Sequence, residues 1–178
     1  MKIIVLAGGL SPERDVSLTS GAGICKTLRE KGHQAFLLDV FFGLPYDTDK
    51  LDEVFDLPGG GLEIAEGIKA TVPDLEALKK QRPDQSDCLI GPNVLELCKM
   101  ADITFMGLHG SIGEDGKLQA MFDVLDIHYT GPNALSCTLS MNKLVSKQIF
   151  KMSGVPTPRG TSLTPKTKDT PLSELGYY

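Results

Sequence analysis

The sequence predicts an α/β fold built on a parallel sheet. Residues 2–7 are a continuous apolar run, with β-branched Ile3, Ile4 and Val5, closed by Gly8 and Gly9. A run that short and unbroken reads as a strand buried on both faces. A helical pattern follows, and then a second apolar run from Gln34 to Val40. Strand, glycine loop, helix and strand is how a parallel sheet begins, because parallel strands need a crossover and a helix supplies it.

Each element has its own reason. Gly8 to Arg14 is a polar turn, and Leu18, Ala22, Cys25 and Leu28 then share one helical face. Gly32 ends that helix. Residues 43–92 break the rhythm with Pro45, Pro58, Gly59-Gly60-Gly61, Gly67, Pro73, Pro83 and Pro92. They read as an insertion of turns or a hairpin, with one short helix around Leu51, Val54 and Phe55 and another over Pro73 to Gln81. The α/β pattern resumes with a short helix over Val94 to Met100 and a strand over Ile103 to Leu108. Leu118, Met121, Phe122 and Leu125 recur at helical spacing. His128 to Thr130 reads as a short strand before Gly131-Pro132. Ser140 is expected to cap a helix over Met141 to Ser153. Val145, Ile149 and Met152 would form its inner face, and Gly154 and Pro156 would stop it. Beyond it, Arg159 to Leu163 reads as a strand and Leu172 to Leu175 as a short helix.

Composition narrows the function classes. A chain of 178 residues suits one domain, or one domain and a piece of a second. With 41% hydrophobic and 23% charged residues it can pack a core. Eighteen Lys and Arg against 23 Asp and Glu give a net charge of −5 with no basic block, which argues against nucleic acid or an anionic membrane as partner. No apolar run approaches a membrane span. Lys2 and the apolar run after it resemble a signal peptide only until Gly8 and Gly9 interrupt them. Cys25, Cys88, Cys98 and Cys137 are scattered, with no CxxC, and read as reduced thiols of a cytoplasmic protein.

Three clusters can carry chemistry. The first is Gly8-Gly9 with Leu10 to Asp15. Glycines at a strand end let backbone approach a ligand, and the following helix offers free N–H groups. Glu13 and Asp15 either serve the helix dipole or, in the case of Glu13, face the crevice and bind an ammonium group. The second is His109-Gly110-Ser111-Ile112-Gly113-Glu114-Asp115-Gly116, again between a strand and a helix. His109 can donate to an anion or orient a carboxylate; a satisfied loop histidine is the alternative, and the commoner one. Capping explains Glu114 and Asp115 better than metal ligation. The third is Lys143, in the first turn of a helix, where a cation is electrostatically misplaced and a phosphate partner would relieve it. A solvated surface lysine is the alternative. Lys147 and Lys151 read as solvated surface charges.

The clusters occur together, within AGGLSPERDVSLTSG at 7–21, GLHGSIGEDGKLQA at 107–120, YTGPNALSCTLSMNK at 129–143 and GVPTPRG at 154–160. In them the chain resembles the N-terminal part of the D-alanine–D-alanine ligases of the ATP-grasp superfamily. Residues 43–92 match least and look like the longer insertion of some members. The resemblance implies a Rossmann-like pre-ATP-grasp domain over residues 1–131, followed over 132–178 by linker helices and the start of an incomplete ATP-grasp central domain. It also implies that Glu13 binds the ammonium of the first D-alanine, that His109 supports that glutamate and the substrate, and that Lys143 reaches toward the ATP phosphates. In the family, ATP phosphorylates the carboxylate of the first D-alanine, and the amine of the second attacks the acyl phosphate. The dipeptide feeds peptidoglycan precursor synthesis in the cytoplasm.

The family continues beyond the point matched by Tyr178. The second phosphate-binding lysine, the serine-rich loop, the adenine pocket and the Mg²⁺ ligands are not in this sequence. ATP and Mg²⁺ are expected for the complete enzyme, with neither held tightly by this chain alone, and no residue here is assigned to a metal. The chain alone is expected to be inactive, completed by a C-terminal ATP-grasp portion in cis or as a separate chain. The domain over 1–131 is expected to fold by itself and, as family members do, to form a homodimer. Residues 155–178 should be mobile, or packed on the first domain or a neighbouring molecule. A non-catalytic D-amino-acid-binding module and a fragment of a D-alanine–D-lactate or D-alanine–D-serine ligase are the alternatives.

Overall fold

The computed structural model describes residues 1–44, 50–171 and 173–174. Three parallel strands, β1 (Lys2–Ala7), β2 (Gln34–Asp39) and β3 (Ile103–Met106), form a sheet in the order β2-β1-β3. Lys2 pairs with Gln34 and Ala7 with Asp39 on one side of β1, and Ile3 pairs with Ile103 on the other. The fold is therefore α/β, with the first strand at the centre.

Side chains alternate across the sheet, and both faces are covered, so β1 is apolar without interruption. Ile3, Val5, Ala7, Ala35 and Leu37 pack under α1 (Arg14–Glu30), against Leu18 and Cys25. α1 lies directly on the sheet at Gly21, where a Cβ would stand 2.8 Å from the Ala7 Cβ. On the other face Ile4, Leu6, Phe36 and Leu38 meet Val94 and Leu97 of α3 (Val94–Met100), and Leu118 and Phe122 of α5 (Lys117–Val124). α1 ends as expected at Gly32, with bonds from Gly32 N to Arg29 O and from His33 N to Leu28 O.

The insertion packs as a cover for the free edge of β2. Its described residues form no strand. They contain 3₁₀ turns at Leu51–Asp56 and Leu62–Ile64, and α2 (Leu75–Gln81) capped by Asp74. Leu37 N donates to Gly60 O at 2.8 Å, which blunts the edge. Arg29 ties the cover down, donating to Ala35 O, Leu57 O and Pro58 O. Arg82, 2% exposed, donates to Cys88 O and Ile90 O and lies 4.9 Å from the centre of the Phe41 ring.

Five expectations need correction. Residues 128–130 make one parallel bridge, Thr104 with Tyr129, rather than a strand. Thr130 offers its side-chain Oγ1 to Met106 N at 3.0 Å, in place of the carbonyl that the next rung would use. The helix expected at Met141 to Ser153 is preceded by an unforeseen helix: α6 (Ala134–Met141) and α7 (Lys143–Met152) meet at Asn142, whose backbone is extended. Asn133 and Asn142 cap them, not Ser140, because their side chains accept from Ser136 N and Val145 N. α7 has no inner face among the described residues: Ile149 is 38% exposed and Met152 88%. Residues 159–163 form no strand, since no neighbouring strand offers them a ladder. α7 does stop as expected, with Val155 N bonding Phe150 O beyond Gly154. Leu172 and Leu175, the ends of the expected last helix, lie outside the described residues.

Candidate functional site

The two glycine clusters meet at the C-terminal edge of the sheet, where open α/β sheets bind ligands. The first leaves β1 and enters α1. Ser11 is buried, and its Oγ accepts from Glu13 N at 3.1 Å, while Ser11 O accepts from Arg14 N. Glu13 occupies the N-cap position of α1 without a side-chain capping bond, and it is exposed. Its carboxylate is thus not engaged in a capping bond, although its place at the helix start still suits the helix dipole.

The second cluster leaves β3 as His109-Gly110 and turns through α4 (Ser111–Glu114) into α5. Gly110 has φ +82°, and a Cβ there would fall 2.5 Å from Ser11 Oγ and 3.2 Å from Glu13 Oε2. Only glycine fits both that backbone and that approach. His109, the residue before Gly110 in the chain, is half-buried. Among the described residues, neither the Glu13 carboxylate nor the His109 imidazole has a hydrogen-bond or ion-pair partner.

Ser17 fixes the spacing of the loops. Fully buried on the first turns of α1, its Oγ accepts from Gly8 N at 2.9 Å and donates to Gly107 O at 2.7 Å. Behind Glu13, Arg14 turns inward. It donates to Gly9 O at 3.0 Å and to the Asp39 carboxylate, and sits 5.0 Å from the Phe42 ring centre. Asp39 also accepts from Phe41 N and Phe42 N. The side chains of the pair are 10% and 5% exposed. Sequence reasoning passed over Ser17, Arg14 and Asp39. Two signals were present: Arg14 is a cation in the first turn of a helix, as misplaced as Lys143, and Asp39 ends an otherwise apolar run. A buried carboxylate requires a partner.

Lys143 is the first residue of α7 and is exposed; no hydrogen bond or ion pair among the described residues joins it to Glu13 or His109. The helices leading to it touch the second loop through Thr138, which donates to Asp115 O at 2.9 Å. Asp115 behaves as a local cap, accepting from Lys117 N and Lys117 Nζ. Lys147 remains at the surface, and its Nζ also donates to Pro158 O at 2.5 Å, tying the chain after α7 to the helix. Among the described residues no three His, Cys, Asp or Glu side chains are grouped to hold a metal ion.

A cleft of about 640 Å³ lies between α1, β2 and residues 61–81, walled by Leu18, Leu38, Phe42, Ile64 and Leu78, and Glu13 and His109 are outside it. Its Lys69 is paired to Glu66. Arg14, Asp15, Asp39, Glu63 and Asp74 also line it.

The family model described as "D-ala D-ala ligase N-terminus" matches residues 2–132. The chain belongs to the D-alanine–D-alanine ligase family. The D-alanine–D-alanine ligase of Lacticaseibacillus casei (strain BL23) is 43% identical over 157 residues, covering 88% of this chain and 43% of that protein. The corresponding ligase of Pediococcus pentosaceus is 40% identical over 180 residues, covering 99% of this chain and 50% of that protein. The chain thus spans half or less of the length of these family members. Among solved structures, the D-alanine–D-alanine ligase of Bacillus anthracis complexed with ATP matches with a TM-score of 0.61 at 24% identity, covering 99% of this chain and 42% of that one. The ligase of Coxiella burnetii also gives 0.61, at 23% identity, covering all of this chain and 50% of that one. These structural likenesses speak for the fold. No helix among the described residues is long and apolar enough to cross a membrane.

Proposed function

We propose that this chain is the amino-acid-binding N-terminal portion of an ATP-dependent D-alanine–D-alanine ligase, with residues 1–131 as the pre-ATP-grasp domain and 132–178 as the entry to the ATP-grasp domain. The observation that carries the reading is the uncapped, partner-free Glu13 carboxylate held against Gly110, next to His109. A free carboxylate in a crevice between two glycine loops suits the ammonium of an amino acid, since a charge-assisted bond is short and strong. His109 precedes Gly110 in the second loop, and in this reading it donates to the substrate carboxylate or orients Glu13. Ser17 and Gly110 keep the two loops in register.

ATP, when bound, supplies the phosphoryl group that turns a poor acyl donor into a good one. Lys143, an exposed cation at a helix start, is the residue here that would face its phosphates. The described residues do not fit a Mg²⁺ site, which needs several convergent oxygen ligands. In this reading the metal belongs to the C-terminal portion, and no step is assigned to it here. Cytoplasmic peptidoglycan precursor synthesis, homodimerisation through the first domain and completion by a C-terminal ATP-grasp portion belong to the same proposal.

The test is a calorimetric titration of the 178-residue chain with D-alanine, followed by addition of a C-terminal ligase half expressed separately. The expected result is D-alanine binding that Glu13→Gln abolishes, no alanine-dependent phosphate release from the chain alone, and release once the second half is supplied. Undiminished binding in Glu13→Gln would remove the reading of the site. Phosphate release by the chain alone would overturn its dependence on a second portion.

A further inference from the structure

We propose that Arg14 and Asp39 are positioning residues for Glu13; the inference rests on the reading of Glu13 as the ammonium ligand. Glu13 has no side-chain bond of its own to hold it. Its backbone is bonded to Ser11 Oγ through its N–H and to Ser17 N through its carbonyl, and the residue after it ties down the loop that carries it. The Arg14 guanidinium crosses back over the loop, with one nitrogen on Gly9 O and another on the Asp39 carboxylate. It therefore spans the first glycine loop from within, tying its start to its end. Asp39 is itself immobilised by Phe41 N and Phe42 N at 2.8 and 3.1 Å, and by its place at the end of β2. The Phe42 ring lies against the guanidinium, 5.0 Å from ring centre to Arg14 Cζ.

The arrangement is directional. Residues 13 and 14 are neighbours on the first turn of α1, so burying one side chain beneath the loop presents the other to the crevice. Glu13 lies 3.2 Å from the place a Gly110 Cβ would take, while Arg14 is 8% exposed. A planar, forked guanidinium can hold the carbonyl and the carboxylate together, whereas an ammonium holds one point. Misplacement of a binding group by about 1 Å can cost orders of magnitude in affinity or rate, which is what such a clamp prevents.

The test uses the isotope-labelled 178-residue chain. In the wild type, an NMR cross-relaxation signal between the Gly110 α-protons and the Glu13 γ-protons reports the contact of the two loops. Arg14→Met should lose that signal and speed amide exchange from Gly8 to Glu13 by about tenfold, while Ile4, Leu6 and Leu38 keep their rates. D-alanine binding should weaken by about tenfold or more. Arg14→Lys should restore part of the signal and part of the affinity. Asp39→Asn keeps an acceptor for Phe41 N and Phe42 N, loosens only the Arg14 anchor, and carries the test if Arg14→Met does not fold. Persistence of the Gly110–Glu13 signal in a folded variant would overturn the proposal. So would exchange that speeds equally throughout the sheet. If the wild-type chain binds no D-alanine, the functional reading of Glu13 fails, and the loop signal still decides whether Arg14 and Asp39 place it.

Discussion

Ser17→Ala should destabilise the domain far more than a hydroxyl deletion two residues away on the same helix. The Ser17 hydroxyl is fully buried and serves two main-chain groups, Gly8 N–H at 2.9 Å and Gly107 C=O at 2.7 Å. Alanine leaves both without that partner, in a site whose close packing leaves little room for water. Each unsatisfied buried group costs about 1–3 kcal/mol, so for the two groups the loss should be about 2–6 kcal/mol. The better helix propensity of alanine returns no more than about 0.5 kcal/mol. For a domain of this size that lowers Tm by roughly 4–24 °C. Thr19→Ala is the control: Thr19 Oγ1 bonds Asp15 O at 2.7 Å, but the residue is exposed and water can replace it. Its change should stay within about 0.5 kcal/mol. Urea unfolding of both variants, followed by circular dichroism, measures the difference. A gap below about 1 kcal/mol would refute the reasoning that Ser17 is the buried bridge between the two glycine loops.

Other outcomes follow from the same structure. Gly110→Ala places a Cβ 2.5 Å from Ser11 Oγ at φ +82°, so stability should fall by about 1–2 kcal/mol from the backbone alone; D-alanine titration should show weaker binding because the Glu13 loop is displaced, and unchanged binding would separate Gly110 from the site. Burial pushes the Cys25 thiol up to about 11 and the Cys98 thiol up to about 12, against 9.0 for a free thiol. Folding thus favours their protonated forms, and that contribution is intact below pH 9.0 and is lost as the pH rises through about 11 to 12. In that window unfolding free energy should fall by up to about 1.4 kcal/mol per pH unit for each thiol, and Cys98→Ala should flatten the slope measured by urea titration. In the native protein a disulfide reagent should modify exposed Cys88 first, with Cys25 and Cys98 reacting only on unfolding; equal rates for all three would contradict the packing. Lys147→Ala releases Pro158 O, so amide exchange should rise from Val155 to Gly160 with Tm unchanged within about 2 °C.

Much of the fold was legible because buried parallel strands and amphipathic helices leave strong local patterns. β1, α1, β2, α3 and α5 follow from apolar runs and helical spacing alone. The misses have physical causes. Residues 128–130 carry a strand's composition, yet Thr130 diverts its hydroxyl into the ladder. Ser140 and Asn142 are both capable caps two residues apart, and backbone geometry chose Asn142. Val145, Ile149 and Met152 have helical spacing but no opposing surface among the described residues, so periodicity named a face without providing what covers it. Lys147 is a surface charge that also bonds a main-chain carbonyl eleven residues away, a contact invisible to any reading of side-chain types.

By itself the sequence determined the fold class, the order of the principal elements, the two glycine loops and the identity of Glu13, His109 and Lys143 as candidates. Those features are local or carried by recurring motifs. Tertiary structure alone decided which of them meet. The parallel order β2-β1-β3 brings Gly110 against Glu13 and sets Asp39 beneath Arg14, across separations of 97 and 25 residues. A buried charge and a buried hydroxyl find their partners only when distant strands are placed side by side. For that reason the clamp of Arg14 and Asp39 and the bridge of Ser17 belong to the structure.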